Sequence, residues 1–512
     1  MLPQTLSQTT PDPLPAPPAQ FNMAAHVLHR ADALGGKVAL AVLSLSGAER
    51  WSFQRLKVAV QGTGAGFLEA GLAPGDRVLL RLGNRVDYPI AYLGAIAVGL
   101  VPIPSSPQLT EREVDSVIAI TAPKLILREE GIACPATDTP QMDLAALQAM
   151  RDLPPAPFHF DDPDRPGYIV FTSGTSGKPR AVVHAHRAIL ARQMMMTDWY
   201  DLGENDRLCH AGAFNWTYTM GTGLMDPWTM GATALIPGPE VDIAQLPLLL
   251  KRHDATILAA APGVFRKLLG AGVAMELPKL RHGLCAGEKL SDTIREGWRK
   301  AAGTELYEAF GMSECSTFIS SAPTRPAQPV SLGFAQTGRR VAILGTDGPV
   351  PLGKEGTIAI HRSDPGLMLG YLGEDAATAE RMQGDWFLTG DQGTMGADGA
   401  ITFLGRSDDM MNAGGFRVSP MEVEAVLNTH PGITQAAVTD IEVKADARLI
   451  MAFYTAPDPI DAEELNAFTS QRLAGYKCPR AFYHLEELPA GANGKILRRA
   501  LRPIYKAIHD QA

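Results

Sequence analysis

The most informative stretch of the sequence is Tyr168-Ile-Val-Phe-Thr172-Ser-Gly-Thr-Ser-Gly-Lys178-Pro-Arg180, in which an apolar strand runs into a loop of hydroxyl residues and glycines. Glycine lets the backbone turn its N–H groups toward an anion, while the hydroxyls and Lys178 add donors and positive charge. The loop departs from the P-loop pattern GxxxxGK[ST], since Thr172 replaces the first glycine and Pro179 follows the lysine. By itself the stretch fits either a phosphate-binding loop or an ordinary turn.

The segments around this loop alternate between helical and strand patterns. Apolar residues recur at helical spacing over residues 54–71 and 88–98, and short apolar runs occupy residues 77–82 and 124–127. Such alternation is typical of a mainly parallel sheet covered by helices. We therefore predict an α/β fold, with a large N-terminal domain built from several subdomains.

Beyond Arg406 the pattern changes to shorter elements. We predict helices at 420–427 and 462–473 and strands at 435–439, 449–454 and 481–485. About 100 residues can bury a core of their own, so this part is expected to be a small, mobile α+β domain. The predicted division is an extended proline-rich arm at residues 1–20, an N-terminal domain at 21–406 and a C-terminal domain at 407–512.

Composition excludes several classes of protein. The chain has 512 residues with 46 Lys and Arg against 55 Asp and Glu, and its net charge of −9 argues against a nucleic-acid-binding protein, which needs a basic face. Its five cysteines are far apart and form no CxxC pair, so the sequence predicts free thiols in a reducing cytoplasm, without a zinc site or a disulfide framework. The most apolar run, residues 90–103, is too short to span a membrane and contains Gly94, Gly99 and Pro102.

Further motifs follow the loop in chain order. They are Tyr307-Glu-Ala-Phe-Gly-Met-Ser-Glu314, Trp386-Phe-Leu-Thr-Gly-Asp391, Gly405-Arg-Ser-Asp-Asp409, Gly414-Gly-Phe-Arg417-Val-Ser-Pro-Met-Glu422 and Asn493-Gly-Lys495-Ile-Leu-Arg-Arg499. With these motifs in this order, nearly the whole chain resembles the superfamily of acyl-CoA synthetases, non-ribosomal peptide synthetase adenylation domains and firefly luciferases. The resemblance implies an enzyme that uses ATP and Mg²⁺ to convert a carboxylic acid into an acyl-adenylate, with release of pyrophosphate.

The resemblance implies which residues act on the phosphates. The loop residues that would surround the β- and γ-phosphates are Thr172, Ser173, Gly174, Thr175, Ser176, Gly177 and Lys178. Attack of a carboxylate on ATP joins two anions, so catalysis depends on positioning and on cations around the phosphates. Glu314 would bind Mg²⁺, Ser313 would contact the α-phosphate, and Lys495 would stabilise charge at the reacting oxygens. Without the motif around it, Lys495 would be interpreted as an exposed surface lysine.

The resemblance also implies a nucleoside site. Asp391 would accept hydrogen bonds from the two ribose hydroxyls, with Arg406 also in contact with the ribose. The segments that would enclose adenine contain Gly287, Glu288, Glu308, Ala309 and Phe310. An aromatic residue at the position of Phe310 fits either a stacking partner for adenine or a part of the core. His186, which follows the loop, is given a structural role.

A second half-reaction requires a thiol to approach the acyl carbonyl. Members of the superfamily that the chain resembles achieve this by rotating the small domain about a hinge, which would be Asp408 here. Gly415 matches a glycine beside the pantetheine tunnel of coenzyme A, and Arg417 would contact phosphate. On sequence alone, Gly415 is equally well explained as a turn glycine.

The acyl pocket is expected near a run of aromatic residues. Its predicted lining consists of Phe214, Trp216, Thr217, Tyr218, Ala286 and Gly311. Acetyl-CoA synthetases have a tryptophan at the position that matches Gly311, and loss of that indole would open room for several methylenes, each worth about 0.8 kcal/mol when buried. We therefore expect a short-to-medium-chain aliphatic acid or a small aryl acid, and we expect acetate to fit poorly.

The acyl acceptor is expected to be coenzyme A. Residues 496–512 are too few for a carrier domain, and a free-standing enzyme of this kind most often uses coenzyme A. A stand-alone adenylation enzyme that loads a separate carrier protein is the alternative. A non-catalytic nucleotide sensor of the same fold would be expected to lack Lys495 or Glu314, and both are present. No nucleic-acid or membrane partner is expected, and a homodimer is left open.

Overall fold

The computed structural model describes most of the chain. The described residues are 5–12, 14–172, 179–272, 275–328, 331–407, 409, 411–413, 416–444, 447–490 and 496–510. Residues with a predicted role that lie outside this set are Ser173, Gly174, Thr175, Ser176, Gly177, Lys178, Asp408, Gly415 and Lys495. The side chain of Arg417 also lies outside it, so the roles of all these residues stay predictions.

Helices alternate with many of the strands along the chain. The α-helices of the described residues are α1 (Met23–Val27), α2 (Ala31–Leu34), α3 (Phe53–Glu69), α4 (Asp87–Ala97), α5 (Glu111–Thr121), α6 (Leu144–Ala149), α7 (Ala188–Arg192), α8 (Asp226–Met230), α9 (Leu246–Arg252), α10 (Pro262–Gly270), α11 (Asp292–Ala302), α12 (Asp375–Ala379), α13 (Pro420–Leu427), α14 (Ala462–Ser470) and α15 (Leu501–Asp510). Short 3₁₀ turns occur at Met150–Asp152, Ile243–Gln245 and Arg498–Ala500, and π-helical turns at Met196–Tyr200 and Thr219–Met225.

Local chemistry explains where several helices begin. The Ser52 hydroxyl accepts a hydrogen bond from the Arg55 N–H at the start of α3. Thr110 and Glu113 form a reciprocal capping box at the start of α5. These side chains satisfy backbone donors that have no partner within the first turn of a helix.

The strands fall into one large sheet and several smaller ones. The strands of the described residues are β1 (Val38–Leu43), β2 (Ala48–Ser52), β3 (Arg77–Arg81), β4 (Val101–Pro104), β5 (Leu125–Arg128), β6 (Gln141–Asp143), β7 (Pro166–Thr172), β8 (Arg180–Ala185), β9 (Arg207–His210), β10 (Thr233–Pro237), β11 (Ile257–Ala260), β12 (His282–Ala286), β13 (Glu305–Met312), β14 (Ser316–Ser320), β15 (Ser331–Ala335), β16 (Val341–Gly345), β17 (Gly348–Pro349), β18 (Gly356–His361), β19 (Gly370–Tyr371), β20 (Met382–Gln383), β21 (Trp386–Met395), β22 (Ala400–Arg406), β23 (Met411–Ala413), β24 (Phe416–Val418), β25 (Gln435–Lys444), β26 (Ala447–Thr455) and β27 (Ala481–His484).

The large sheet changes from parallel to antiparallel pairing at β13. Its order is β17-β16-β18-β21-β22-β15-β14-β13-β12-β11-β9-β10-β1-β2, with β20 paired to β21. The pairs from β1 through β10, β9, β11 and β12 to β13 are parallel, and those from β13 to β17 are antiparallel. The predicted α/β class is confirmed, and the antiparallel half of this sheet is a feature that the sequence patterns did not reveal.

Two smaller sheets complete the N-terminal part. One has the order β4-β3-β5-β6 with parallel pairs throughout. The other has the order β19-β8-β7, in which β8 pairs antiparallel with both neighbours. Residues 7–9 of the N-terminal arm run beside β16, since the Thr9 N–H donates to the Val341 carbonyl over 2.8 Å and the Ile343 N–H donates to the Ser7 carbonyl over 2.8 Å.

The C-terminal part has its own core. Its sheet has the order β25-β26-β27, with an antiparallel first pair and a parallel second pair. Buried side chains of α13, β25, β26 and α14, among them Val423, Val438, Ile450 and Leu465, form one apolar cluster. This arrangement agrees with the predicted small α+β domain.

Other expectations from composition can also be compared with the structure. All five cysteines are buried free thiols, as their number and spacing predict. No helix in the described part of the chain is both long and apolar enough to cross a membrane.

Candidate active site

Several of the predicted site residues lie at or after the carboxyl ends of neighbouring parallel strands. Strand β12 ends at Ala286, and β13 ends one residue before Ser313. Strand β9, separated from β12 only by β11, is followed by the segment that contains Trp216 and Tyr218. Ligands of α/β sheets usually bind at this edge, so the topology brings the predicted nucleotide and acyl segments together.

Gly287 follows β12 in a conformation that favours glycine. Its φ is +98°, a value that L side chains rarely adopt, and a Cβ there would lie 3.5 Å from Cζ2 of Trp216. The predicted adenine segment therefore contacts the predicted acyl-pocket segment at this point. Glu288 is half-buried beside it.

Glu308 is a buried structural carboxylate. It accepts hydrogen bonds from Nζ of Lys289 over 2.8 Å and from the Leu290 N–H over 2.9 Å. These bonds join β13 to the loop that follows β12. The Glu308 side chain thus holds the residues that follow Gly287 and Glu288 in the predicted adenine segment.

Phe310 lies between the core and solvent. Its ring is half-buried and packs edge-on against Phe318 at 5.5 Å between centroids and at a tilt against Phe403 at 5.6 Å. The neighbouring Ala309 is buried. The half-exposed ring is compatible with both interpretations of Phe310, as a core residue and as a stacking surface.

Ser313 and Glu314 occupy the turn between β13 and β14. The Glu314 side chain is buried, and its Oε1 accepts a hydrogen bond of 2.8 Å from the Tyr371 hydroxyl. Burial, followed by the Glu314 carboxylate, raises the pKa of Tyr371 to about 12, so the hydroxyl keeps its proton at neutral pH and donates. The Glu314 carbonyl accepts a further bond from the Met368 N–H over 2.8 Å.

His184 holds the other residue of this turn. Its Nε2 lies 2.7 Å from the Ser313 carbonyl oxygen, and its ring stacks on Tyr168 at 4.8 Å between centroids. Burial lowers the pKa of His184 to about 4, so the imidazole is neutral at pH 7. Because a carbonyl only accepts, Nε2 carries the proton and Nδ1 does not.

The strand pair β7–β8 fixes both ends of the predicted phosphate loop. Thr172, at the end of β7, pairs with Arg180, at the start of β8. The Arg180 guanidinium lies 5.0 Å above the Tyr371 ring and 3.5 Å from the Glu374 carboxylate. His186, at the far end of β8, accepts a hydrogen bond from the Met23 N–H over 3.1 Å, a contact that agrees with its predicted structural role.

The two residues predicted to bind ribose form an ion pair. Asp391 on β21 and Arg406 on β22 are register partners, and an Nη1–Oδ1 distance of 3.6 Å joins their side chains. Asp391 is buried, and its N–H donates to Oγ1 of Thr389. The antiparallel hairpin thus places this carboxylate beside a guanidinium, and their contact with ribose stays a prediction.

The buried Glu314 carboxylate, in the turn between β13 and β14, is compatible with the way in which proteins bind Mg²⁺. The described residues contain no cluster of three or more His, Cys, Asp or Glu side chains that could hold a metal ion by themselves. Mg²⁺ usually keeps several waters and binds through one or two carboxylates together with substrate phosphates. Glu314 fits that pattern as a lone protein ligand.

Aromatic side chains form the predicted acyl wall. The Trp216 and Tyr218 rings meet edge to face at 5.1 Å, and Tyr218 stacks on Trp199 at 6.0 Å. Tyr218 packs in the same cluster as Ala286 and Ala309. Phe214 is fully buried in the neighbouring core cluster, Thr217 is exposed, and Trp216 and Tyr218 are partly buried, so the acyl-pocket role of these residues stays a prediction.

Gly311 is a glycine for a backbone reason. A Cβ there would lie 2.2 Å from the Ser316 carbonyl oxygen and 2.5 Å from Cα of Thr317, across an irregular pairing of β13 with β14. Main-chain atoms cannot move aside as the end of a flexible side chain can. The expectation that a missing side chain at Gly311 enlarges the acyl pocket therefore loses its support, and so does the exclusion of acetate that rested on it.

Sequence reasoning missed Tyr371 and His184. Neither belongs to a motif with an expected role, and each reaches the turn only because β8 lies beside β19 and the Ser313–Glu314 turn. An apolar strand that directly follows a phosphate loop and contains a histidine is the one signal that could have directed attention to His184.

Comparison with known proteins gives matches over both domains. The family model described as AMP-binding enzyme matches residues 27–372, and the model for the AMP-binding enzyme C-terminal domain matches residues 422–495. The mouse protein named acyl-coenzyme A synthetase ACSM5, mitochondrial, is 31% identical over 500 residues, which cover 89% of this chain and 85% of that protein. The 3-hydroxybenzoate--CoA/4-hydroxybenzoate--CoA ligase of Thauera aromatica is 28% identical and covers 96% of this chain and 98% of its own length.

Solved structures of the same fold include two ligases of aromatic acids. The benzoate CoA ligase from Burkholderia xenovorans LB400 has a TM-score of 0.82 at 25% identity, covering 94% of this chain and 100% of that chain. The anthranilate CoA ligase AuaEII in complex with anthranoyl-AMP has a TM-score of 0.86 at 23% identity, covering 96% and 99%. The second match shows likeness of fold alone.

Proposed function

The chain belongs to the AMP-binding enzyme family and is an AMP-forming acid–thiol ligase, and we propose that it is an acyl-CoA synthetase for short-to-medium-chain or small aryl carboxylic acids. It uses ATP, Mg²⁺ and coenzyme A and releases AMP and pyrophosphate. The observation that carries the proposal is the Ser313–Glu314 turn at the end of β13, held by β8, the strand that leaves the predicted phosphate loop.

In the first half-reaction, an oxygen of the acid attacks the α-phosphorus of ATP and pyrophosphate leaves. Both reactants are anions, so the site must place cations around the phosphates before the bond forms. Glu314 is the residue that would hold Mg²⁺, and the bound ion would neutralise phosphate charge. The predicted loop residues 172–178 and Lys495 would supply the remaining donors and positive charge.

Asp391 and Arg406 would hold the ribose during this step. A carboxylate can accept a hydrogen bond from each of two neighbouring hydroxyls, and the ion pair with Arg406 fixes its orientation. Phe310 and the segment at Gly287 and Glu288 would lie against the adenine ring. Glu308 acts only indirectly, through its bonds to Lys289 and Leu290.

In the second half-reaction, the thiol sulfur of coenzyme A attacks the acyl carbon and AMP leaves with the oxygen that came from the acid. We propose that the C-terminal domain rotates about Asp408 between the two steps, which would remove Lys495 and bring Gly415 and Arg417 to the thiol donor. Such a rotation would let one active site carry out adenylation in one orientation of the C-terminal domain and thioester formation in the other.

The proposed classes of carboxylic acid are those that fit beside Trp216 and Tyr218. Trp216 and Tyr218 present flat, apolar rings beside the small side chain of Ala286, which suits either an aliphatic tail or an aromatic ring. The named relatives are a mitochondrial acyl-coenzyme A synthetase and a ligase of hydroxybenzoates. Both acid classes therefore stay within the proposal, as do a cytoplasmic location and a homodimer.

The experiment that tests this function is an assay of AMP release with and without coenzyme A over acetate, butyrate, hexanoate, octanoate and benzoate. We expect acid-dependent AMP formation that requires coenzyme A for multiple turnovers. Acid-dependent pyrophosphate exchange without any coenzyme A effect would instead favour the enzyme that loads a separate carrier protein. Absence of both reactions over the whole panel would contradict the proposal.

A matched variant separates the two half-reactions. Lys495→Ala should nearly abolish adenylate formation from acid and ATP, because only that step places negative charge beside the ammonium. Thioester formation from a supplied acyl-adenylate should remain close to wild type. Equal loss in both reactions would show that Lys495 supports folding rather than adenylation.

A further inference from the structure

We infer that His184 and Tyr371 are positioning residues that hold the Ser313–Glu314 turn against β8, the strand that follows the predicted phosphate loop, an inference that rests on the function proposed above. Neither side chain is expected to touch the reacting atoms. His184 binds the main chain of the turn, and Tyr371 binds its carboxylate. Together they would fix where the metal ligand stands relative to the nucleotide.

The His184 contact is well defined by its surroundings. The ring is 2% exposed, lies flat against Tyr168 with an interplanar angle of 16°, and reaches the Ser313 carbonyl oxygen at 2.7 Å. Tyr168 and His184 are register partners on β7 and β8, so the two strands fix the ring plane. A neutral imidazole in this position offers one N–H, and the Ser313 carbonyl uses it.

The Tyr371 contact fixes the side chain of the same turn. Its hydroxyl donates to Oε1 of Glu314 over 2.8 Å, and the ring is 4% exposed. A carboxylate that accepts a strong hydrogen bond at one oxygen has its other oxygen directed by that bond. The other oxygen, Oε2, is the atom that would meet the metal.

Both residues depend on one strand. His184 belongs to β8, and Tyr371 belongs to β19, which pairs with β8 at Val182 and Val183. The Leu369 and Leu372 N–H groups donate to the Val183 and Ala181 carbonyls, each over 2.8 Å. Both contacts to the Ser313–Glu314 turn therefore depend on the placement of β8, which begins at Arg180.

His186, the residue directly after β8, provides a contrast to His184. His186 is equally buried, but its Nδ1 accepts a hydrogen bond from the Met23 N–H of α1 and not from the turn. Loss of the His186 contact should therefore affect folding stability without affecting the turn. Tyr88 gives the same contrast for Tyr371, since its buried hydroxyl accepts a hydrogen bond from the Ser105 N–H over 2.9 Å, and Ser105 is not part of the turn.

The test uses Tyr371→Phe and His184→Leu, with His184→Gln as the conservative variant and Tyr88→Phe and His186→Leu as controls. Phenylalanine removes one oxygen and keeps the ring over which Arg180 lies. The glutamine amide can place an N–H where Nε2 stood, whereas leucine cannot.

The first measurement is the calorimetric Kd for ATP without acid, with Mg²⁺ and with EDTA, a readout that needs no turnover. The second is acid-dependent pyrophosphate exchange, and the third is Tm.

We expect Tyr371→Phe and His184→Leu to weaken Mg·ATP binding about tenfold, the size of one lost hydrogen bond to a charged or turn-fixing group. Binding of ATP in EDTA should change less, and the exchange rate should fall while the KM for the acid stays the same. His184→Gln should recover most of the loss. Tm should fall no further than in Tyr88→Phe and His186→Leu, both of which should keep the wild-type Kd.

Two results would overturn the inference. One is a Kd for Mg·ATP and an exchange rate that stay at the wild-type values in Tyr371→Phe, His184→Leu and His184→Gln alike. The other is a loss of binding that the Tyr88→Phe and His186→Leu controls share, because it would then follow stability alone. The wild-type protein could also bind Mg·ATP and yet show no pyrophosphate exchange with any acid of the panel. The proposed function would then fail, and the comparison of Kd values would still decide whether His184 and Tyr371 are positioning residues.

Discussion

Gly311 shows how a single missing side chain can have a cause other than function. The sequence interpretation assigns it to the acyl pocket, whereas the structure places main-chain atoms of Ser316 and Thr317 where its Cβ would be. Ser316 itself has a φ of +62°, and its hydroxyl accepts a hydrogen bond of 2.6 Å from Arg192. The close approach of β13 and β14 at this bulge therefore depends on several residues at once.

Gly311→Ala should consequently destabilise the protein and lower activity toward every acid alike. Forcing extra atoms into a packed site costs roughly 1–3 kcal/mol. Gly263→Ala is the matched control, since a Cβ added at this position of α10 would meet no atom within 4 Å and alanine favours a helix. Thermal unfolding and kcat/KM for acetate, butyrate, hexanoate and benzoate provide the measurement. A stable variant whose activity shifts toward acetate would restore Gly311 to the acyl pocket.

The resemblance implies that Asp391 and Arg406 both contact the ribose, which requires them to lie close together, whereas nothing in the sequence indicates the contact of Tyr371 with Glu314. Asp391 and Arg406 lie in recognisable motifs, and the hairpin of β21 and β22 brings them into register. Tyr371 reaches Glu314 only through the pairing of β19 with β8, which joins residues far apart in the chain. Contacts of this kind depend on tertiary structure and leave no local pattern.

Among the elements, Arg498 joins the segment after the predicted catalytic lysine to the rest of the C-terminal domain. Its guanidinium donates to both oxygens of Glu424, over 2.7 and 2.6 Å, and lies 3.5 Å from the Asp409 carboxylate. Burial opposes the charge of Arg498, but the Glu424 carboxylate outweighs burial and raises the pKa of the guanidinium. The pair thus connects α13 with the residues next to the predicted lysine turn and the predicted hinge.

Arg498→Met should destabilise the C-terminal domain by about 3–5 kcal/mol, because it leaves the buried Glu424 carboxylate without its cation. Arg448→Met is the control, since Arg448 is largely exposed and its partner Asp440 keeps a second arginine, Arg502. Hydrogen exchange over residues 416–444 should accelerate strongly in the first variant and slightly in the second. Equal protection in both variants would contradict the structural role of the Arg498–Glu424 pair.

Sequence patterns predict the positions of many helices and strands, but they do not predict which strands pair with each other. They predict a helix at 420–427, which is the extent of α13, and a helix at 54–71, where α3 covers Phe53–Glu69. Periodicity reports which face of an element is buried, and that information is local. The antiparallel half of the large sheet, from β14 to β17, depends on which strands meet, and short apolar runs do not encode their partners.

At the scale of the whole molecule, buried neutral histidines make stability depend on pH. Burial lowers the pKa of His184 to about 4 and those of His186 and His210 to about 3. The unfolded chain binds protons at these histidines below about pH 6.5, whereas the folded chain does not until about pH 4 or 3. The unfolded state therefore holds more protons in this window, and stability must fall as pH falls.

We accordingly expect the free energy of unfolding to decrease from pH 6.5 toward pH 4, by about 1.4 kcal/mol per pH unit for each such histidine. His186→Asn, which keeps an acceptor for the Met23 N–H, should show a shallower slope because one titrating group is removed. Urea unfolding at pH 7, 6 and 5 is the measurement. A stability that stays constant over this range, or an unchanged slope in the variant, would contradict the burial of these rings in the neutral form.

The central claim is that the acid is activated by forming a bond between its own oxygen and the α-phosphorus of ATP. The most direct measurement is to run the reaction with an acid whose carboxylate carries heavy oxygen and to locate the label by mass spectrometry. Attack on the α-phosphorus followed by cleavage of the acyl carbon–oxygen bond leaves that oxygen on AMP. The account predicts AMP with a single heavy oxygen for each thioester formed and pyrophosphate with none. Unlabelled AMP, or ADP together with labelled inorganic phosphate, would contradict it.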